Sequence, residues 1–327
     1  FGYGSEDADA YKSALFCACV DKVYFCSIFG IKIDPEKWVS IGLGLEYIPD
    51  RGAGSCDDVV NKLRGLVPVQ GVPPSSTPQS HGTIESSHPK TPKNEDVKFF
   101  KISSCNVIAL ARKCILEVIE ANASACSARR LTLEMAKAHV VPTPMGLWNY
   151  YESIGRTAAQ SVELNTAIRL FLTPVNFKLQ DGQLILLSTR YSSKELEVTG
   201  LLDQSARGCS VQLDGYALRL CVRKTWVCVG LEQIEVELRF PYRTCKAQKY
   251  VSLSDLEELE EAVRSGTSQS EGLRASAKLH TRQSLREAIP GANAADQTRK
   301  GRAQVRTNSL KREVNILAKK KNIGRVG

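Results

Sequence analysis

The sequence predicts an α+β protein: a helical region, then an antiparallel β meander or small barrel, then a flexible basic C-terminal tail. Three observations carry this expectation. In residues 103–121, Val107, Ile108, Ala111, Ile115, Leu116, Val118 and Ile119 fall close to three- and four-residue spacing, slightly widened. That is the stripe of a helix buried on more than one side. Between residues 175 and 240 the period changes to two. Ile234, Val236, Leu238 and Phe240 alternate with Glu235, Glu237 and Arg239, while Tyr216, Leu218, Leu220 and Val222 alternate with Arg219 and Arg223. Such alternation marks half-buried antiparallel strands. Finally, residues 298–327 hold ten Lys or Arg against one acid, Glu313.

The elements follow in chain order. Residues 1–66 read as a small mixed α/β segment. The longest apolar run, residues 14–33, is interrupted by Asp21, Lys22 and Lys32. A membrane-spanning helix needs about 20 predominantly apolar residues without a central charge pair. The run's Val20, Val23, Tyr24, Phe25 and Ile28 predict buried strands instead. Asp34-Pro35 reads as a helix start, with Pro at the first helical position. Gly52-Ala53-Gly54 reads as a turn, and Ser55 as the cap of a short helix over 56–64 that Gly65 ends. The non-Met start, Phe1, predicts a piece of a longer chain.

Residues 67–97 contain six of the thirteen prolines and eight Ser or Thr, the composition of a linker that buries little apolar surface. The helical region spans 98–174. Beyond its first helix it predicts one over 124–138 ended by Pro142 and Pro144, a third over 145–154, and a fourth over 157–172 closed by Pro174. The β domain spans 175–250 with about six short strands. Asp181-Gly182 and Asp214-Gly215 sit between apolar runs as type I′ turn pairs. Gly200 and Gly208 mark further turns. Ser254-Asp255-Leu256-Glu257 is a capping box opening an acidic helix within 251–265. Residues 266–297 read as a loose polar linker, and 298–327 as the basic tail.

Charge is where function becomes legible. The tail nets +9, which is the formal charge of the whole 327-residue chain. Removing its residues from the totals of 44 basic and 35 acidic leaves 34 of each. A neutral body with a concentrated cationic end points to a polyanionic partner. Lys and Arg neutralise phosphates and release counterions, a salt-sensitive attraction independent of base sequence. Arg299, Lys300, Arg302, Arg306, Lys311, Arg312, Lys319, Lys320, Lys321 and Arg325 are the candidate contacts. The tail has no aromatic residue, which suits backbone contact rather than base stacking.

The expected function is therefore a non-enzymatic nucleic-acid-binding structural or assembly protein, with RNA ahead of DNA. A viral capsid, nucleoprotein or movement-type protein, or a ribonucleoprotein subunit, has this layout, with self-assembly or a large complex as a further partnership. One alternative is a protein–protein adaptor whose tail is a localisation signal. Another is a Cys-dependent hydrolase using Cys56 at a helix start and His139 as its base. Asp57 and Asp58 disfavour a Cys56 thiolate. No metal or other cofactor is expected, because Cys17, Cys19 and Cys26 lack a matching second ligand pair. Eleven scattered Cys without a C-x-x-C read as reduced thiols packed as small hydrophobes, hence an intracellular, reducing compartment.

Overall fold

A computed structural model of the chain describes residues 7–49, 52–71, 106–206, 210–239 and 250–288. The chain forms two units. The first comprises Phe1–Val175, Tyr216–Trp226 and Cys245–Ser252; the second comprises Asn176–Gly215, Val227–Thr244 and Leu253–Gly327.

In the first unit, the run over residues 14–33 forms the end of one helix and the whole of a second, not the strands its composition predicts. Helix α1 spans Ala8–Cys19 and α2 spans Lys22–Ile28. Local capping decides this. The Asp7 carboxylate accepts from the Ala10 amide at 2.9 Å, and Asp21 accepts from the Tyr24 amide at 2.8 Å. Each bond satisfies an orphan donor at a helix start. Leu15, Phe16 and Cys19, then Phe25, Cys26, Ile28 and Phe29, are buried. Burial of the aromatics outweighs β propensity, which is mainly a packing preference. Phe16 meets Trp226 edge-on at 6.0 Å and Phe25 lies 5.4 Å from Phe29, measured between ring centres.

Asp34-Pro35 opens only a 3₁₀ turn, Pro35–Lys37. Ser55 does not cap the next helix: its hydroxyl donates to the Gly52 carbonyl, and α3, Asp57–Leu63, starts behind Cys56. Strand β1, Glu46–Tyr47, pairs in parallel with β2, Val69–Gln70. The first residues of the expected linker are therefore ordered, with Val67 buried; residues 72–97 lie outside the described residues.

Helix α4, Val107–Ser124, is capped by Asn106 and buries Ile108, Ala111 and Ile115. Leu116 is 53% exposed, so the stripe faces one side rather than several. The helix expected over 124–138 is a 3₁₀ turn, Ala128–Arg130, followed by the short α5, Leu133–Lys137. Thr132 caps α5 and restarts the chain, which is why a single helix does not run through. Pro144 opens α6, Pro144–Ser153, rather than ending its predecessor. The fourth helix is shorter than expected: α7 covers Leu164–Phe171 and buries Ala167, Ile168 and Phe171. Before it, Gln160 is tied to Leu43 by two backbone hydrogen bonds of 2.7 and 2.9 Å, which hold that stretch extended.

The β region is a closed six-stranded antiparallel barrel, one of the two forms, meander or small barrel, that the period-two pattern allows. Its strands are β3, Thr173–Gln180; β4, Gln183–Leu186; β5, Thr189–Ser192; β6, Val211–Ala217; β7, Lys224–Val229; and β8, Glu232–Arg239. Around the barrel they run β3-β4-β5-β8-β7-β6. Gln180 pairs with Gln183, Leu186 with Thr189, and Ser192 with Glu237, which fixes the register. Asp181 and Gly182 both take positive φ, 52° and 73°, as a type I′ turn requires. Ile234, Val236 and Leu238 are buried in alternation along β8; Phe240 lies outside the described residues.

Two local expectations for this region fail. Asp214-Gly215 sits inside β6 rather than in a turn. Leu218 to Arg223 form a turn between β6 and β7, not a strand. Leu218, Leu220 and Val222 are buried although the chain turns, so alternation mimicked a strand. Gly200 has φ 71° ahead of a short helix, Leu201–Ser205; Gly208 is outside the described residues. Counting Lys194–Val198 as α8, that helix is α9.

Helix α10 is the largest correction. It spans Leu253–Ala288, 36 residues, so the acidic segment does not end at Arg264 and the polar stretch after it is helical to residue 288. No Pro interrupts these residues, and their Ala, Leu, Arg, Glu and Gln favour helix enough to absorb Gly266 and Gly272, at about 1 kcal/mol each.

Candidate functional site

Cations and the carbonyls they meet organise the first unit. Helix ends leave their last carbonyls without intrahelical partners and carry partial negative charge. At the end of α2, three consecutive carbonyls receive side-chain donors. Arg223 Nη1 donates to Ser27 at 3.3 Å, Cys221 Sγ donates to Ile28 at 3.4 Å, and Arg112 Nε donates to Phe29 at 2.7 Å. Tyr250 locks the two guanidinium groups. Arg112 lies 4.1 Å and Arg223 4.9 Å from its ring centre, and Arg223 Nη1 also donates to its hydroxyl at 2.8 Å. The ring packs on Gly30, which has φ 73° and no room for a Cβ beneath the hydroxyl.

The end of α1 is closed the same way. Lys22 Nζ donates to the carbonyls of Cys17, of Ala18 at 3.2 Å and of Val20 at 2.8 Å. Only 3% of Lys22 is exposed. Burial lowers its pKa. The same burial pushes the Cys17, Cys19 and Cys26 thiols up to about 11, 12 and 11, so they are neutral at physiological pH. Cys221 is likewise pushed to about 11 by burial.

A third cationic group is paired with carboxylates. Lys12, 8% exposed, contacts Asp9 and also Asp58 at 2.9 Å; Lys62 meets Asp58 at 3.1 Å, and Arg219 meets Asp7 and Asp9. Burial raises the pKa of Asp9, but hydrogen bonds from Lys12 and Arg219 outweigh it and hold the group low. For Lys12 burial acts downward and the hydrogen bonds to Asp9 and Asp58 prevail, so its pKa is raised. The Asp58 pKa is lowered, chiefly by the Lys12 hydrogen bond.

The residues singled out from the sequence fare differently. All ten tail cations, Arg299, Lys300, Arg302, Arg306, Lys311, Arg312, Lys319, Lys320, Lys321 and Arg325, lie outside the described residues. Cys56 is the N-cap of α3 and makes no side-chain capping bond. His139 is exposed, with φ 53°, after α5. No hydrogen bond joins the two among the described residues. Cys17 and Cys19 lie on a helix rather than side by side on a strand. Among the described residues no group of His, Cys, Asp and Glu is arranged to hold a metal ion. None of the described helices is long and apolar enough to cross a membrane.

Trp38, Asn122, Met145 and Trp148 help line a recess of about 130 Å³ in the same unit. Trp38 Nε1 donates to Ser40 Oγ at 3.0 Å, so this indole is already satisfied. The recess falls below the roughly 300 Å³ at which small-molecule pockets begin. Sequence reasoning missed Lys22, Arg112, Arg223 and Tyr250, because their partners are backbone carbonyls or residues distant in the chain. Only Lys22 left a signal: a charge directly after the helix-capping Asp21, inside an apolar run. No protein-family model matches the chain, and a search of curated proteins finds no match.

Proposed function

We propose that the protein is a non-enzymatic nucleic-acid-binding protein with a structural or assembly role, holding RNA in preference to DNA by its phosphate backbone. The contacts are the ten Lys and Arg of residues 298–327. A capsid, nucleoprotein, movement-type protein or ribonucleoprotein subunit would use such an arm to gather nucleic acid around a neutral body. One observation carries the reading: the tail holds the whole net charge of the chain, while the rest sums to zero. The internal engagement of Lys12, Lys22, Arg112, Arg219 and Arg223 supports it, since these body cations already meet carbonyls or carboxylates.

The test is salt-titrated binding of the full chain and of a chain lacking residues 298–327 to single- and double-stranded RNA and DNA. Six to ten phosphate contacts predict a loss of about 10³- to 10⁵-fold in affinity between 50 and 200 mM salt. Deletion is expected to abolish both the binding and its salt dependence, with RNA bound more tightly than DNA by the full chain. Unchanged affinity after deletion would overturn the reading.

A further inference from the structure

Past its first turn, α10 has little protein around it. Leu256 is 1% exposed, whereas every residue from 261 to 285 is exposed. At 1.5 Å per residue the helix is about 54 Å long. Helices in water draw most of their stability from packing an apolar face, so one this long implies a partner. Three of its apolar side chains, Leu259, Val263 and Leu273, are 43%, 45% and 73% exposed.

Those residues belong to one seam. Leu259, Val263, Gly266, Ser270, Leu273 and Ala277 follow one another at alternating spacings of four and three, the repeat of a helix that packs lengthwise on another helix. Reversed end for end, the seam maps onto itself. Leu259 comes opposite Ala277, Val263 opposite Leu273, and Gly266 opposite Ser270, so each large side chain meets another apolar one and the small pair lies at the middle.

Charge follows the same reversal. Asp255, Glu257, Glu258, Glu260 and Glu261 crowd the first part of the helix against Arg264 alone. In residues 266–285, Arg274, Lys278 and Arg282 oppose only Glu271. Glu260 and Arg274 flank the seam on the same side, each directly after a seam leucine. An antiparallel copy places Glu260 of one chain near Arg274 of the other, twice; a parallel copy places like charges together. Within one chain Glu260 meets Arg264 at 3.7 Å, an exposed contact of the kind that is readily exchanged.

We propose that α10 is a homodimerisation helix that packs against α10 of a second copy in antiparallel orientation, centred between Gly266 and Ser270. The surface uses no residue of 298–327 and does not require nucleic acid. The competing occupant, residues 298–327 of the same chain on the acidic part of α10, is removed when the tail is deleted.

Sedimentation equilibrium of nuclease-treated full chain tests this, with helix content followed by circular dichroism. The full chain and the chain lacking residues 298–327 are expected to show the same reversible dimer. Glu260→Arg and Arg274→Glu alone should each weaken it at least about tenfold, and the double exchange should restore it to within a few-fold. Leu273→Glu should give a monomer with unfolding of the rest of the chain unchanged. A full chain that is monomeric throughout the micromolar range overturns the proposal. So does a dimer that survives Leu273→Glu, that is lost on tail deletion, or whose charge exchanges show no rescue.

Discussion

The cations of the first unit and, in the function proposed, those of the tail put the same residue types to opposite uses. Lys22, Arg112 and Arg223 reach the carbonyls at the ends of α1 and α2, and Lys12 reaches two carboxylates. The ten tail cations share thirty residues with one acid. The difference teaches that a basic residue's role depends on the density of acceptors within its reach. Where carbonyls and carboxylates converge, a cation holds the fold; where thirty residues carry one acid, the proposal gives the cations to a polyanion.

Lys22→Met is expected to have the largest effect on stability. It leaves the carbonyls of Cys17 and Val20 without the Lys22 donor, while Ala18 keeps the Gly42 amide at 2.8 Å, and unsatisfied buried groups cost about 1–3 kcal/mol each. A loss of about 3 kcal/mol or more should appear as a lower urea midpoint at unchanged slope. No loss would mean that this buried lysine is not structural. Arg112→Ala comes next, at about 2 kcal/mol, because the Phe29 carbonyl loses its donor and the Tyr250 ring loses its cation. Gly30→Ala should fall in the same range, from backbone strain at φ 73° and displacement of Tyr250.

Lys12→Met is expected to cost about 1 kcal/mol near neutral pH, less than a fully buried pair because Asp58 is half-exposed. Its pH dependence has a definite sign. Asp9 and Asp58 have lowered pKa values, so their contribution is present above 3.8 and is lost as pH falls through their folded values. Lys12 has a raised pKa, so its contribution is present below 10.5 and is lost as pH rises through its folded value. The gap between parent and variant should therefore be flat near neutrality and close at both extremes of a pH-resolved denaturation series. Smallest of all, exchanging any single tail cation for Gln should shift stability by less than about 0.5 kcal/mol.

How much of this was legible in the sequence depended on where each partner lies. The barrel could be read because its signals are local: alternation along residues 234–238 and the Asp181-Gly182 turn. The same signal misled at Leu218, Leu220 and Val222, where burial on a turn reproduces the alternation of a strand. The second half of α10 was passed over because its seam is mostly small or polar, Gly266, Ser270 and Ala277 around Leu273, and reads as a linker. α1 and α2 were misread because aromatic and β-branched residues suit any buried surface, while the Asp7 and Asp21 caps were passed over. The carbonyl-binding cluster could not be found by spacing, since Arg112 and Arg223 lie 83 and 196 residues from the carbonyls they meet. For the tail, composition alone carried the reading.

The most direct test of the contrast between body and tail is RNA affinity against salt for a chain whose ten tail cations are all exchanged for Gln, measured alongside thermal unfolding. The predicted result is a salt slope near zero, with binding lost and the unfolding midpoint of the parent retained. A neutralised tail that still binds RNA with the parent's slope would contradict the account, because the body's cations would then be the ones that hold the phosphates.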